Sequence, residues 1–506
     1  MTHEVELKLR IAAQDIPHLR RHPAIKAALV GESITRKLVS IYFDTPQLAL
    51  LDAGISLRAR YMAGAWYQAV KGSGKSLAGL HQRKEWEDQI ASGQPDFSKI
   101  TDPALTAIFD NEDLRAALSP IFRTEVKRTE WHLAFDKGDQ IELALDVGDL
   151  VVGERRETIS EIELELKGGN TGRLFDFALE LQQTIPLELE NISKAQRGYG
   201  YYRPQPPTII KAQPTRLQPE MSAHEALKQI AWECLTHLQG NQDMVLHGED
   251  IEGVHQMRVA LRRLRSALNI FSSVTSKQNC AAIVGELRWI TGVLGLARDL
   301  DVFTTQTLPP VLQQLPAHPG LHQLNDKAAA ARLQAYVEVR VALSSQRYHR
   351  LLLNLGAWLE NERWRDAGSV ECSVLEIAQT MLAKRHKQFK KHGQRLMHAH
   401  PEERHVTRIA AKKLRYAAEF FTGLFPVASS HDFLRPLAKL LDVLGILNDI
   451  AVTENLIRRL IGGHPNRPLD ESLHLFTGWN ACNAMHRLEG MERAWSAFAG
   501  QKPFWV

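Results

Sequence analysis

Cysteine is scarce: Cys234, Cys280, Cys372 and Cys482 are the only four among 506 residues. They form no CxxC pair, which argues against a disulfide framework or a cysteine-ligated zinc site. No run approaches the ~20 consecutive apolar residues of a membrane helix. The stretch from Met1 to Arg10 carries Glu4 and Glu6 where an export signal would have an apolar core. The expected compartment is the cytoplasm, with no membrane partner. A Ser-His-Asp or Cys-His nucleophile also lacks support, since residues 1–203 hold only five of the 21 histidines, none beside a nucleophile motif. Charged residues are 24% and hydrophobic ones 44%, which excludes wholesale disorder. At about 100–200 residues per domain the chain should hold two to four units.

The net charge of +4 hides an asymmetry. Residues 1–203 have 26 Lys and Arg against 30 Asp and Glu, whereas residues 204–506 have 36 against 28. Between Arg203 and Pro219 lie five prolines, RPQPPTIIKAQPTRLQP, which read as a semi-rigid linker. Three segments follow: a domain over 1–203, a proline-rich linker over 204–219 and a helical domain over 220–506. Period-two patterns dominate before the linker and helical spacing after it.

In the first part about eight strands are expected, near 3–11, 35–44, 55–62, 65–71, 82–90, 120–134, 140–152 and 158–167. Helical patterns intervene near 14–28, 104–117 and 173–185. Short strands separated by turn signals suggest an antiparallel sheet or barrel. The charges themselves alternate with aliphatics: Glu4, Glu6 and Lys8; Arg58 and Arg60; Glu85 and Glu87; Arg123, Glu125 and Lys127; Glu161, Glu163, Glu165 and Lys167. An open sheet with one face in water would carry such a pattern. Both signs at high density on nearly every strand fit a closed barrel better, with inward charges held by water, metal ions and a polyanion. Each unpaired charge buried dry would cost several kcal/mol.

Acidic and basic clusters without a Cys or His constellation point to metal-assisted phosphoryl chemistry. Carboxylates are hard ligands suited to Mg²⁺ or Mn²⁺, and Arg and Lys clamp phosphate oxygens. The stretch Lys71-Gly72-Ser73-Gly74-Lys75-Ser76 looks like a phosphate loop but lacks the upstream Gly at the required spacing, and reads as a hairpin loop.

EVELK at Glu4–Lys8 resembles the ExExK signature of CYTH domains, the triphosphate tunnel metalloenzymes. YFDTP and LLDAGISLRAR, AVKG, LHQRKEWE, FRTEVKR, ALDVG, SEIELELK and ISKAQRGY follow in that family's order over residues 1–203. The resemblance implies an eight-stranded antiparallel tunnel that binds linear triphosphates with a divalent cation, Mg²⁺ before Mn²⁺. Glu4, Glu6, Glu161, Glu163 and, less closely, Glu165 match its metal-binding glutamates. Lys8, Arg58, Arg60, Lys71, Arg123 and Lys194 match its phosphate contacts. Asp146 and one of Glu85 and Glu87 match its remaining acids.

The second part is duplicated at an offset of 150 residues: HQMRVALRRLRSALNIF from His255 and HVTRIAAKKLRYAAEFF from His405. Ungapped register over that distance predicts two copies of one helical bundle. His255, Arg258, Arg262 and Arg265 share one helical stripe, as do His405, Arg408, Lys412 and Arg415, with Arg263 and Lys413 alongside. A basic stripe without interleaved acids repels itself unless an anion lies against it. A solvated face is the plainer alternative. Asp299 and Asp449 are expected partners for some of these arginines. This part resembles a CHAD domain, which implies binding of inorganic polyphosphate. Nucleic acid is the rival polyanion, but no aromatic platform or groove-reading motif supports it.

The expectation is therefore an α+β multidomain chain, an eight-stranded antiparallel β-tunnel followed by all-α duplicated bundles. Its expected activity is metal-dependent hydrolysis of tripolyphosphate to pyrophosphate and phosphate, with polyphosphate, including polyphosphate granules, as partner of the helical part. The alternatives are an organic-triphosphate enzyme of the same fold (thiamine triphosphatase, nucleoside triphosphatase or class IV adenylate cyclase) and a non-catalytic polyphosphate-binding protein.

Overall fold

The computed structural model describes residues 2–72, 74–365, 372–462 and 466–505. Ser73, in the glycine-rich loop, lies outside them. The chain forms two compact units, Met1–Pro206 with Ser345–Arg363, and Pro207–Ser344 with Trp364–Val506.

The first unit contains strands β1 (Thr2–Ile11), β2 (Ile34–Asp44), β3 (Ser56–Met62), β4 (Ala65–Lys71), β5 (Lys75–Leu77), β6 (Leu80–Ile90), β7 (Ser119–Ala134), β8 (Gln140–Val152), β9 (Arg155–Gly168) and β10 (Leu187–Leu189). Eight of them close an antiparallel barrel in the order β1-β9-β8-β7-β2-β3-β4-β6, with β6 pairing back onto β1. The other edge of β1 is shared: Glu6 faces His81 of β6, and Leu9 faces Leu189 of β10.

The alternation on each strand is used on both faces. In β1, Glu6 and Lys8 point into the tunnel while Leu7 and Leu9 are buried outside it. Helix Gly172–Leu181 packs on β1 and β9 there, with Leu174, Phe175, Phe177 and Leu181 fully buried. Helix Pro103–Phe109 covers β3 and β4 through Leu105 and Phe109, which pack with Leu57, Ala59 and Val70. One end of the tunnel is apolar: Tyr42 stacks on Phe122 at 4.5 Å, and Tyr199 of helix Lys194–Tyr202 meets Phe122 edge-on at 5.3 Å.

Helix Gln346–Glu360 comes from the sequence between the two repeats yet packs on helix Gly172–Leu181 and β10. Sequence spacing assigned these residues to the helical domain; their apolar surface is buried against the tunnel unit. Gly356 lies against Phe175, so close that a Cβ there would stand 2.2 Å from the ring. His349 Nδ1 accepts from Leu189 N at 3.2 Å, and Asn361 and Arg363 bind Asp176 at 3.0 and 2.6 Å.

The second unit repeats its helices in order. Ala223–Gln239 corresponds to Val374–Gly393, Glu252–Ile270 to Pro401–Phe421, Lys277–Val302 to Val427–Ile461 and Pro319–Leu343 to Arg467–Ala499. The first pair opens on the same capping box, Ser222 with Glu225 and Ser373 with Glu376. Helix Lys277–Val302 and its continuation to Gln314 are long and apolar enough to cross a membrane by length and composition alone. Here that helix packs on Glu252–Ile270 and Pro319–Leu343, and buries Asp301 against Arg332 at 2.7 Å and Tyr336 at 2.8 Å.

Candidate active site and basic clefts

The tunnel interior is an ion-pair network. Asp146 of β8 and Glu161 and Glu163 of β9 bring carboxylate oxygens within 4.8 Å of one another, all three buried. The antiparallel register opposes Asp146 to Glu161 and Lys8 to Glu163, which stacks them on one inner face. Lys194, the first residue of its helix, places its ammonium 2.6 Å from Asp146, 2.9 Å from Glu163 and in contact with Glu161. Arg128 binds Asp146 through two nitrogens at 2.7 and 2.6 Å and also contacts Glu163. Burial alone would raise the Asp146 and Glu163 carboxyls, but Lys194 and Arg128, joined at Glu163 by Lys8, hold both below the usual range. An all-carboxylate donor set of this kind suits a hard divalent cation.

A second set of pairs continues around the barrel from β1 to β6, β4 and β3. Arg83 binds Glu4 at 2.9 Å and Glu6 at 2.6 Å, Lys71 binds Glu4 at 2.8 Å and Glu85 at 3.1 Å, and Arg58 binds Glu85 at 3.1 Å. Burial opposes ionisation of Glu4, yet Lys71, Arg83 and Lys8 keep its carboxyl far below normal. Lys71 is pushed down, by burial first and then by Arg58 and Arg83.

Arg60 differs from the others. Its Nε donates to Ser40 Oγ at 2.9 Å, and no carboxylate among the described residues pairs with it. Burial, with Arg58 and Arg128 close by, pushes its guanidinium down to about 10. The cavity it lines carries seven cationic side chains against three carboxylates. A buried cation with no counter-ion is costly unless a bound anion supplies one.

Most residues predicted for the tunnel meet there: Glu4, Glu6, Lys8, Arg58, Arg60, Lys71, Glu85, Asp146, Glu161, Glu163 and Lys194. Of the β6 pair, Glu85 is the inner residue, while Glu87 is 44% exposed and 3.8 Å from Arg58. Glu165 is half-buried and bound to Lys167 at 2.7 Å, outside the carboxylate cluster. Arg123 is a correction. It faces outward, 47% exposed, and pairs with Glu125 at 2.6 Å. The inner face of β7 is the even one, with Phe122 and Val126 in the apolar end and Arg128 in the ion network. Three tunnel cations escaped the sequence reading. Arg83 shares the parity of Glu85, and Arg197 lies one helical turn after Lys194 and contacts Glu161, so both carried a usable signal. Arg128 carried none, because Arg123, Glu125 and Lys127 made the odd face of β7 look like the charged interior.

In the second unit, Arg262, Arg265, Lys412 and Lys413 line a cleft of about 960 Å³ with Lys277 and Arg288, and no acid among the described residues lines it. A second cleft, about 860 Å³, is lined by His255, Arg262, Arg263, Arg408, Lys412 and Arg415, with Glu419 and Asp442. Arg262 and Lys412 belong to both. Arg263 lies 3.7 Å from Glu419 and over the Phe420 ring, and Arg415 binds Glu419 at 2.7 Å. Arg258 turns away and donates to Thr291 O at 3.0 Å; burial lowers its charge stability and Asp299 opposes that. His405 is exposed and lines neither cleft. The Asp449 side chain lies outside the described residues. His255 is pushed down to about 4 by burial and then by Arg298, so it is neutral near pH 7.

A closed eight-stranded tunnel of inward charges, followed by a duplicated bundle with a basic helix in each copy, defines a protein class. Residues 2–199 match the CYTH domain family and residues 229–458 the CHAD domain family. Over 204 residues the chain is 34% identical to the inorganic triphosphatase of Haemophilus influenzae, covering 39% of this chain and 55% of that protein. The match thus spans about half of that relative's length. An uncharacterised protein of Mycobacterium tuberculosis is 27% identical over 464 residues, covering 86% of this chain and 84% of its own. The crystal structure of the CHAD domain from the plant Ricinus communis is similar at a TM-score of 0.51 and 32% identity, covering 57% of this chain and 97% of that one.

Proposed function

We propose that the tunnel hydrolyses inorganic tripolyphosphate to pyrophosphate and phosphate with Mg²⁺ or Mn²⁺, in the cytoplasm, and that the helical unit binds inorganic polyphosphate. The observation that carries the first reading is Arg60, a half-buried guanidinium that no carboxylate among the described residues pairs with directly, where Arg58 and Arg128 outweigh the more distant Asp146. A phosphate chain supplies the missing negative charge. Arg58, Arg60, Lys71, Arg83 and Arg128 orient its oxygens and stabilise charge as the terminal phosphoryl group is transferred. Asp146, Glu161 and Glu163 would hold the divalent cation, which offsets phosphate charge and polarises a phosphorus–oxygen bond. Water attacks in line, and no covalent intermediate is needed. The similarity to the H. influenzae protein supports the inorganic substrate.

One observation favours an organic triphosphate instead. Beside the tunnel lies a recess of about 200 Å³ lined by Leu51, Ile55, Tyr199, Gln82 and Gln196, and by Lys71 and Arg83, which it shares with the anion cavity. Its apolar and amide side chains would take a base or ring, while Lys71 and Arg83 face the phosphates attached to it. Phosphate release from tripolyphosphate, ATP and thiamine triphosphate decides between the two readings. A tripolyphosphate rate well above the others supports the first, and the reverse order supports the second.

For the helical unit, the acid-free cleft carries the reading. Long-chain polyphosphate should bind the full chain with an affinity that falls steeply with salt, as released counter-ions require. No binding at low salt would leave the clefts as solvated surface.

A further inference from the structure

Lys194 begins helix Lys194–Tyr202, the end of a helix where a positive charge is disfavoured. Its ammonium nonetheless sits among Asp146, Glu161 and Glu163, the three buried carboxylates whose oxygens converge within 4.8 Å. An ammonium has three donors, and here each meets a carboxylate. A divalent cation draws on those same oxygens at about 2.0–2.2 Å. The two cations cannot share the seat.

On the reading that the tunnel binds a divalent cation with a phosphate chain, we infer that Lys194 is a resident counter-cation, which holds the metal seat until a divalent ion displaces it towards the phosphates. The backbone need not move. Ser193 caps the helix through a capping box with Gln196, which anchors the Lys194 backbone, so only its four-carbon side chain has to turn once the carboxylates release it. Lys194 also borders the cavity lined by Arg58 and Arg60, so a displaced ammonium enters the space where the anion lies. Cation binding therefore adds a positive charge to the anion site. By linkage the anion must tighten cation binding by the same factor.

The exchange makes Lys194 an inhibitor of metal binding when no phosphate is present, the opposite of a purely structural role. Mn²⁺ titration of the full chain, followed by the loss of free-Mn²⁺ paramagnetic signal, tests this. Without phosphate, Lys194→Gln should bind Mn²⁺ at least about fivefold more tightly than wild type. Lys194→Arg, which keeps the charge, should bind it as weakly as wild type. Added pyrophosphate, a non-hydrolysed short chain, should tighten Mn²⁺ binding to wild type by at least about fivefold and to Lys194→Gln by much less. Thermal melts in Mn²⁺ give a second readout, with a larger upward shift for Lys194→Gln. Equal or weaker Mn²⁺ binding by folded Lys194→Gln would overturn the inference, even if wild type hydrolyses tripolyphosphate with Mn²⁺. If wild type neither binds Mn²⁺ with a phosphate chain nor hydrolyses one, the underlying reading of the tunnel fails as well.

Discussion

Single side chains show both what alternation reveals and where it misleads. Glu4, Glu6, Lys8, Arg58, Arg60, Glu161 and Glu163 were legible because a strand's period of two sorts them from their buried aliphatic neighbours. Arg128 was not, since parity within one strand says which residues share a face and not which face is inside. Arg60 carries a prediction with two opposed effects. Arg60→Met removes a half-buried charge that no carboxylate among the described residues pairs with directly, so it should stabilise the ligand-free protein by on the order of 1 kcal/mol. It should also lower triphosphate turnover by orders of magnitude. Urea unfolding and phosphate release measure the two, and a destabilised variant with intact turnover would remove Arg60 from the anion site. His349 carries a pH prediction. Burial, and then Arg10, hold it down to about 4 from an ordinary 6.5. The unfolded chain therefore takes up the proton first, and stability is lost as pH falls below about 6.5, levelling off near 4. By pH 5 the loss from this residue should be about 2 kcal/mol. Melting of the full chain at pH 7 and pH 5 should show it, and His349→Gln, whose Oε1 can still accept from Leu189 N, should show a smaller drop. An unchanged drop would mean that other groups set the acid sensitivity.

The elements were readable in their order and type, while their partners were less so. Strands near 35–44, 55–62, 65–71 and 140–152 coincide with β2, β3, β4 and β8 within a residue. The three-residue strands β5 and β10 are too short to show periodicity. Helix Gln346–Glu360 was recognisable as helical but not as a component of the tunnel unit, because its ten buried residues show that it has an apolar side but not which partner covers it. Its packing predicts that residues 1–206 alone are less stable than the full chain, since Phe175, Leu187 and Leu189 lose their cover. Each such side chain is worth about 1.5–3 kcal/mol when fully buried. A fragment 1–206 that melts as high as the tunnel unit in the full chain would show that the helix is dispensable. Gly356→Val is the finer probe. Its side chain would collide with Phe175, and overpacking of this kind typically costs about 1–3 kcal/mol. A melting temperature equal to wild type would contradict the close approach seen there.

For the whole molecule, the sequence conveyed two charge arrangements in one chain: inward charges of both signs in a tunnel, and clustered cations on duplicated helices. Opposite charge arrangements fit different tasks. A mixed set can hold a cation and a short anion at once, whereas a cationic cleft can only hold an anion. Arg262 and Lys412 line both clefts, so replacing them with Ala should weaken polyphosphate binding and flatten its salt dependence. Stability should change little, because partly solvated cations contribute little to folding. Replacing two exposed lysines outside the clefts should do neither, and equal losses from both pairs would mean diffuse attraction. The central claim is that the tunnel uses its carboxylates to hold a cation and its cations to hold a triphosphate for hydrolysis. The most direct test is phosphate release from tripolyphosphate by the full chain with Mg²⁺ or Mn²⁺, with EDTA added and then titrated out, beside Glu163→Gln. Hydrolysis that EDTA abolishes, that restored cation returns, and that Glu163→Gln lacks while remaining folded is the predicted result; undiminished hydrolysis in EDTA, or by Glu163→Gln, would contradict it.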